Sequence, residues 1–136
     1  MIVADTNLIS YLYFDTIHSE LANEVHEVDP EWLCPILWRS EFLNIVAGYL
    51  RRNLITYQSG LDAVDLAQRA VDGREFTVSQ YSVLELLSRS ACSSYDCEFV
   101  SLAIEFQIHL VTFDKRILKE FPKIALHPHD FIKKYK

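Results

Sequence analysis

Short apolar runs that end at an aspartate constrain the fold of this chain more than any other feature of its sequence. Ile2-Val3-Ala4 ends at Asp5, and Leu110-Val111-Thr112-Phe113 ends at Asp114. Runs this short and this apolar are typical of strands buried on both faces, as in a parallel sheet. Because ligands bind beyond the carboxyl ends of the strands in open α/β sheets, both aspartates are candidates for a functional site.

Helical patterns separate these runs, which indicates an α/β architecture. The clearest helix is predicted over residues 38–52, where apolar side chains recur at helical spacing and form one stripe. Shorter helical and strand patterns fill the rest of the chain: helices at 18–28, 60–73 and 80–91, after Ser93-Ser94 and around Ile117-Leu118, and strands at 32–34, 75–78 and 124–126. Alternating strands and helices predict a single domain over residues 1–136 with a mostly parallel central sheet.

The composition bounds the class of protein. Half of the 136 residues are apolar, which is enough to form a core without disulfides or a structural metal. No apolar segment is long enough to span a membrane, and the N-terminus lacks the basic region of a secretory signal. Cys34, Cys92 and Cys97 form no CxxC pair and are expected to be buried thiols. These features predict a cytoplasmic protein that does not interact with membranes.

The charge distribution gives two opposing indications about a nucleic-acid partner. The net charge is −6, with 19 acidic against 13 basic residues, whereas binding to phosphates favours lysine and arginine. Residues 115–136, however, contain seven basic and two acidic residues. This asymmetry indicates an anionic partner for the C-terminal part of the chain.

Four motifs in sequence order resemble those of the PIN-domain nucleases. Each contains one carboxylate: Asp5-Thr6-Asn7, the segment 38–44 with Glu41, the segment 95–103 with Asp96, and the segment 110–118 with Asp114. The resemblance covers nearly the whole chain and extends to the single-domain, VapC-like toxin members of the family. It implies a three-layer α/β/α fold around the mostly parallel sheet.

The resemblance also implies a metal-binding catalytic site. Its acids would be Asp5, Glu41, Asp96 and Asp114, oriented through hydrogen bonds from Asn7 and Thr112. Clustered carboxylates suit Mg²⁺ or Mn²⁺, which prefer oxygen ligands. Without a cation such a cluster is costly, since two carboxylates about 4 Å apart repel by roughly 4 kcal/mol at an effective dielectric near 20.

The activity that the resemblance implies is hydrolysis of RNA phosphodiester bonds by an endoribonuclease. The VapC-like members suggest the toxin of a type II toxin–antitoxin pair, with a cognate antitoxin and a homodimer that uses residues 11–14. Basic residues near the ends of two helices are expected to contact the RNA backbone. These are Arg51, Arg52, Lys115, Arg116 and Lys119.

Three other interpretations are consistent with parts of the sequence. One is a PIN-fold RNA-processing nuclease without an antitoxin, and another is a non-catalytic PIN-like module that binds RNA. A third is a phosphotransfer domain with an aspartate acceptor, although Asp5-Thr6-Asn7 lacks the Asp-x-Asp start of one such class. His127-Pro128-His129 is predicted to be a solvated turn rather than a metal-binding pair.

Overall fold

Five parallel strands form the central sheet of the computed structural model, which describes all 136 residues. The strands are β1 (Ile2–Ala4), β2 (Trp32–Pro35), β3 (Glu75–Phe76), β4 (Leu110–Val111) and β5 (Ala125–Leu126). Their order across the sheet is β3-β2-β1-β4-β5, and every neighbouring pair is parallel. The prediction of a mostly parallel sheet is therefore confirmed.

Eight helices complete the three-layer α/β/α fold. They are α1 (Thr6–Ser10), α2 (Ser19–Val28), α3 (Trp38–Arg51), α4 (Tyr57–Ala70), α5 (Gln80–Ser88), α6 (Ser94–Phe106), α7 (Lys115–Glu120) and α8 (Pro128–Tyr135). Helix α6 packs on β1, β2 and β4, while α3 contacts α1 and α4, and α2 packs against α8. No helix is both long and apolar enough to span a membrane.

The strand order places a topological switch point between β1 and β4. The chain builds the sheet outward from β1 through β2 to β3, and then returns to place β4 on the other side of β1. Val3 pairs with Leu110 and Ala4 with Val111, so the residues that follow these strands emerge side by side. The crevice beyond such a switch point is where open α/β sheets bind their ligands.

The core consists largely of side chains that the sequence patterns identify as apolar. Val3, Leu110 and Val111 are fully buried, as expected for central strands covered by helices on both faces. All three cysteines are buried and free, as predicted. Phe14 is also buried, and its ring stacks on Tyr49 at 4.5 Å between centroids. It belongs to the core and offers little surface to a partner, and the use of residues 11–14 in a dimer interface stays a prediction.

Two predicted elements begin or end elsewhere because side chains cap them. Helix α4 covers Tyr57–Ala70 rather than 60–73, because the Thr56 hydroxyl accepts the Ser59 backbone N–H and starts the helix early. Gly60 lies inside it, where an added Cβ would lie 3.2 Å from the Val46 side chain. Strand β4 ends at Val111 rather than Phe113. At the next residue, the Thr112 hydroxyl donates to Asp5 and accepts the Asp114 backbone N–H, so the chain turns there instead of continuing the strand.

The strand predicted over 75–78 is likewise shorter, and one helix was not predicted. Strand β3 ends at Phe76. His127-Pro128-His129 is not a free turn, because the His127 ring accepts the His129 backbone N–H at 3.2 Å and caps α8. Pro128 occupies the first helical turn, where its fixed φ and missing N–H favour a helix start.

Candidate active site at the switch point of the sheet

Four carboxylates from four different elements line one cavity of about 260 Å³ at the switch point. Asp5 follows β1, Glu41 lies in the first turn of α3, Asp96 in the first turn of α6, and Asp114 lies between β4 and α7. The remaining wall consists of Thr6, Asn7, Asn44, Ile45, Phe99 and Ile117. We refer to this cavity as the acidic pocket. The fold thus brings together all four acids that the sequence motifs identify.

Asp5 is the most buried of the four acids, with 8% of its surface exposed. Its Oδ1 accepts the Leu8 backbone N–H at 2.8 Å and caps α1, and its Oδ2 accepts the Thr112 hydroxyl. Burial raises the pKa of Asp5 to about 6, and the negative charges of Asp114 and Glu41 add to that rise while the two hydrogen bonds oppose it. Asp5 is therefore a rigidly held carboxylate whose charge the fold makes costly.

Thr112 links two of the acids. Its hydroxyl donates to Asp5 and accepts the backbone N–H of Asp114 at 3.0 Å. Asp114 in turn caps α7, since its Oδ1 accepts the Ile117 backbone N–H at 2.9 Å. A single buried hydroxyl therefore fixes the relative positions of β1, β4 and the start of α7.

Glu41 is half-buried and is oriented by Thr6 rather than by Asn7. The Thr6 hydroxyl donates to Glu41 Oε1 at 2.7 Å, whereas Asn7 is exposed and lies in the pocket wall. Burial raises the pKa of Glu41, and the charges of Asp96 and Glu98 add to that rise. Thr6, the residue before Asn7 in α1, therefore orients the Glu41 carboxylate.

Asp96 has a structural role as well as a place in the pocket. It forms a capping box with Ser93: the Ser93 hydroxyl accepts the Asp96 backbone N–H at 3.1 Å, and Asp96 Oδ2 accepts the Ser93 backbone N–H at 3.4 Å. The favourable placement of an acid at a helix N-terminus explains this contact. The other carboxylate oxygen, Oδ1, has no hydrogen bond within the protein, and Asp96 is one of the residues that line the pocket.

The donor set of the acidic pocket suits a hard divalent cation. Three of the four acids keep one carboxylate oxygen that has no hydrogen-bond partner in the protein: Glu41 Oε2, Asp96 Oδ1 and Asp114 Oδ2. Each of these oxygens is able to bind a cation. In their present rotamers, no three Asp, Glu, His or Cys groups are arranged to hold one ion. The ligand chemistry therefore fits, while coordination of one ion by three of these acids would require a change of side-chain rotamers.

The predicted RNA-contacting residues lie at unequal distances from the pocket. Lys115 and Arg116 are exposed in the first turn of α7, immediately after Asp114, and Lys119 is exposed one turn later. Arg51 and Arg52 lie at the far end of α3, about 15 Å along the helix from Glu41. The structure therefore places the α7 residues beside the acidic pocket and the α3 pair away from it.

Two polar residues of the pocket were not among the predicted site residues. Asn44 lies in the wall one helical turn after Glu41, and the i, i+3 spacing on one helix face is the signal that identifies it. Thr6 stands next to Asp5 in the first motif, and only the orientation of α1 distinguishes its role from that of Asn7.

The fold and the pocket together define an all-parallel α/β domain with an acidic site at its switch point. A family model described as the PIN domain matches residues 2–124. This chain therefore belongs to the PIN domain family, a family of nucleases that often occur in toxin–antitoxin systems.

Two solved structures share this fold at low sequence identity. The crystal structure of PAE2754 from Pyrobaculum aerophilum has a TM-score of 0.75 and 15% identity, covering 98% of this chain and 95% of that chain. A toxin–antitoxin complex from Klebsiella pneumoniae has a TM-score of 0.68 and 14% identity, covering 94% of this chain and 98% of that chain. A comparison with curated protein sequences gives no match.

Proposed function

We propose that this protein is a Mg²⁺- or Mn²⁺-dependent endoribonuclease and the toxin of a type II toxin–antitoxin pair. The observation that carries the proposal is the convergence of four carboxylates, from four separate elements, on one small cavity. Membership of a nuclease family and similarity to a toxin–antitoxin complex support the reaction class and the partner, respectively. A cognate antitoxin, a homodimer and a cytoplasmic location are parts of the same proposal.

The residues of the pocket have distinct roles in this proposal. Asp5, Glu41, Asp96 and Asp114 hold the cation, with Asp5 as the fixed ligand and the other three able to adjust. Thr112 and Thr6 are positioning residues, because their hydroxyls set the orientation of Asp5 and Glu41. A bound divalent cation would polarise the phosphodiester and lower the pKa of an attacking water.

The surroundings of the pocket favour a phosphodiester substrate. Lys115 and Arg116 are exposed and directly follow Asp114 in the first turn of α7, which supports a role for them in binding the phosphates of an RNA backbone. The rest of the surface is not broadly basic, since the net charge is −6. We therefore infer that non-specific affinity for RNA is low and that binding depends on contacts close to the pocket.

Cleavage of labelled single-stranded RNA in Mn²⁺ or Mg²⁺ tests this function. Wild-type protein should cut the RNA internally, and Asp96→Asn should lose at least a hundredfold in rate because one ligand charge is removed. Glu105→Gln is the matched control, since Glu105 is an exposed acid on the same helix outside the pocket. Equal cleavage by wild type and Asp96→Asn would overturn the assignment.

A growth assay distinguishes a toxin from an RNA-processing enzyme. Induced synthesis of the wild-type chain in a bacterial host should arrest growth, and synthesis of Asp96→Asn should not. An active nuclease that leaves growth unaffected would support an RNA-processing enzyme without an antitoxin.

A further inference from the structure

A cluster of five aromatic rings lies beside the acidic pocket. Its members are Tyr11, His18, Phe113, His127 and His129, which we call the aromatic cluster. Phe113 is central: its ring centroid lies 5.3 Å from Tyr11, 4.6 Å from His18 and 5.2 Å from His127. The His127 and His129 rings are stacked at 5.5 Å. These contacts form one continuous aromatic surface.

The aromatic cluster stands at the same edge of the sheet as the acidic pocket. Phe113 follows β4 and His127 directly follows β5, and because both strands are parallel, both rings lie beyond carboxyl ends. Phe113 and Asp114 are chain neighbours, with Cα atoms about 3.8 Å apart. The two cavities have no lining residue in common, but consecutive residues of the chain, Phe113 and Asp114, line one cavity each.

The aromatic cluster is not part of the hydrophobic core. Tyr11, His18, Phe113 and His127 are only half-buried, and His129 is exposed. Most of these rings line a second cavity of about 500 Å³ with Ile17, whose surface is 93% exposed. A concave site with ring walls and a few polar groups is typical of ligand pockets.

The lining of this second cavity includes two carboxylates, one of which is paired with Lys136. Glu20 and Glu24 both line it, and Glu20 has no ion-pair partner. Carboxylates repel phosphate but accept hydrogen bonds from the amino and ring N–H groups of nucleobases. Lys115 and Arg116, the cations proposed to contact phosphate, line neither cavity and lie in the first turn of α7.

We propose that the aromatic cluster binds one unstacked nucleobase of a single-stranded RNA whose neighbouring phosphate lies in the acidic pocket. This inference rests on the proposed function and adds a base-binding site to it. Rings bind bases by stacking, which is tolerant of sequence, and Glu20 would favour a base with an N–H edge. A base within a duplex cannot reach the cavity without being unstacked, so the site selects single strands.

Fluorescence anisotropy of a labelled single-stranded RNA and of its duplex form tests this proposal. Measurements use the otherwise wild-type chain in Ca²⁺, an oxygen-preferring cation that can neutralise the pocket carboxylates, and a gel of each sample verifies that the RNA is intact. Phe113→Leu should weaken single-strand binding roughly fivefold to a hundredfold, the range expected for loss of one base stack, and leave duplex binding unchanged. Tyr81→Ala is the control, because Tyr81 is 87% exposed and lines neither cavity.

His129→Ala keeps the test decisive if Phe113→Leu does not fold. The His129 side chain is exposed, so its removal leaves the fold intact, and it should weaken single-strand binding in the same direction. Unchanged single-strand affinity in His129→Ala and in folded Phe113→Leu would overturn the proposal. So would a change in oligomeric state without a change in RNA affinity, which would identify a protein interface.

Cleavage assays separate failure of this inference from failure of the proposed function. If His129→Ala and Phe113→Leu cleave RNA as fast as wild type does, the base site is refuted and the proposed nuclease activity is retained. Loss of single-strand binding in these variants, in a protein that cleaves no RNA, supports the base site and refutes the nuclease. A wild-type chain that neither binds nor cleaves RNA refutes both.

Discussion

The Asp5 carboxylate is held where the fold is least able to accommodate its charge. It is buried, it lies near Glu41 and Asp114, and its pKa rises to about 6 from 3.8. A carboxyl group with a raised pKa in the folded state makes the folded protein bind its proton more tightly than the unfolded chain does. Ionised Asp5 therefore destabilises the fold, and a cation in the pocket would remove that cost.

We predict that Asp5→Asn stabilises the cation-free protein at neutral pH. The amide oxygen can still accept from Leu8 or Thr112, while the buried charge is removed. The free energy of unfolding in EDTA at pH 7 should rise by about 2 kcal/mol, since one pKa unit corresponds to about 1.4 kcal/mol and some relaxation is expected.

The pH dependence of this difference fixes its cause. The penalty is absent below about pH 4, grows as pH rises from there to about 6, and is constant above. Chemical denaturation of wild type and Asp5→Asn at several pH values measures it. If Asp5→Asn is less stable than wild type at every pH, the hydrogen bonds of the Asp5 carboxylate stabilise the fold by more than its buried charge destabilises it.

Glu75 connects three elements at the edge of the sheet opposite β5. Its carboxylate accepts hydrogen bonds from Trp38 Nε1 at 2.5 Å, from the Arg39 guanidinium at 2.6 and 2.7 Å, and from Gln68 Nε2 at 3.1 Å. It thereby joins β3 to the first turn of α3, which carries Glu41, and to α4. The Arg39 hydrogen bonds, followed by those from Trp38 and Gln68, lower the pKa of Glu75 to about 2.

Glu75→Gln should destabilise the protein at neutral pH by about 1–2 kcal/mol, because charge-assisted hydrogen bonds are lost. The loss is no larger because the Arg39 side chain is half-exposed and solvent screens its charge. A lowered pKa contributes stability that is fully present above about pH 4.5 and is lost as pH falls toward 2. The difference from wild type should therefore shrink over that interval.

The control for this prediction is Glu85→Gln. Glu85 pairs with Arg89, but both side chains are more than half exposed, so its removal should change stability by less than about 0.5 kcal/mol. Denaturant titrations at pH 7, 4 and 2.5 give the comparison. A Glu75→Gln difference that does not depend on pH would contradict the assigned role of the charge.

The sequence alone predicts the position of a site residue where a single physical rule determines it. Asp5 and Asp114 follow buried strands, and parallel strands align their carboxyl ends, so their proximity followed from the sequence. Element ends were less predictable because side chains decide them. Thr56 starts α4 early and His127 starts α8, and neither cap is visible as periodicity.

The detailed contacts of the site depend on orientation that the sequence leaves open. Thr6 and Asn7 are adjacent, and the rotation of α1 decides that Thr6 contacts Glu41. The aromatic cluster shows the same limitation at longer range. Tyr11 and His127 are separated by most of the chain, and only the meeting of the end of α1 with the ends of β4 and β5 brings them both to Phe113.

The net charge of the whole molecule is understood differently once the pocket is known. The −6 charge includes four acids that line one cavity, so part of it belongs to the proposed cation site rather than to the open surface. The seven basic residues among 115–136 include those beside the pocket. The molecule therefore combines a generally acidic surface with a local region suited to phosphate.

The proposed activity depends on the four carboxylates binding a divalent cation together. The most direct test is the melting temperature of wild type, Asp96→Asn and Glu105→Gln during titration with Mn²⁺ from a cation-free state. A ligand that binds only the folded state stabilises it by about 2.7 kcal/mol at a hundred times its Kd. Wild type and Glu105→Gln should therefore show the same saturable rise, and Asp96→Asn should show little or none. An equal rise in all three proteins, or none in wild type, would contradict the claim.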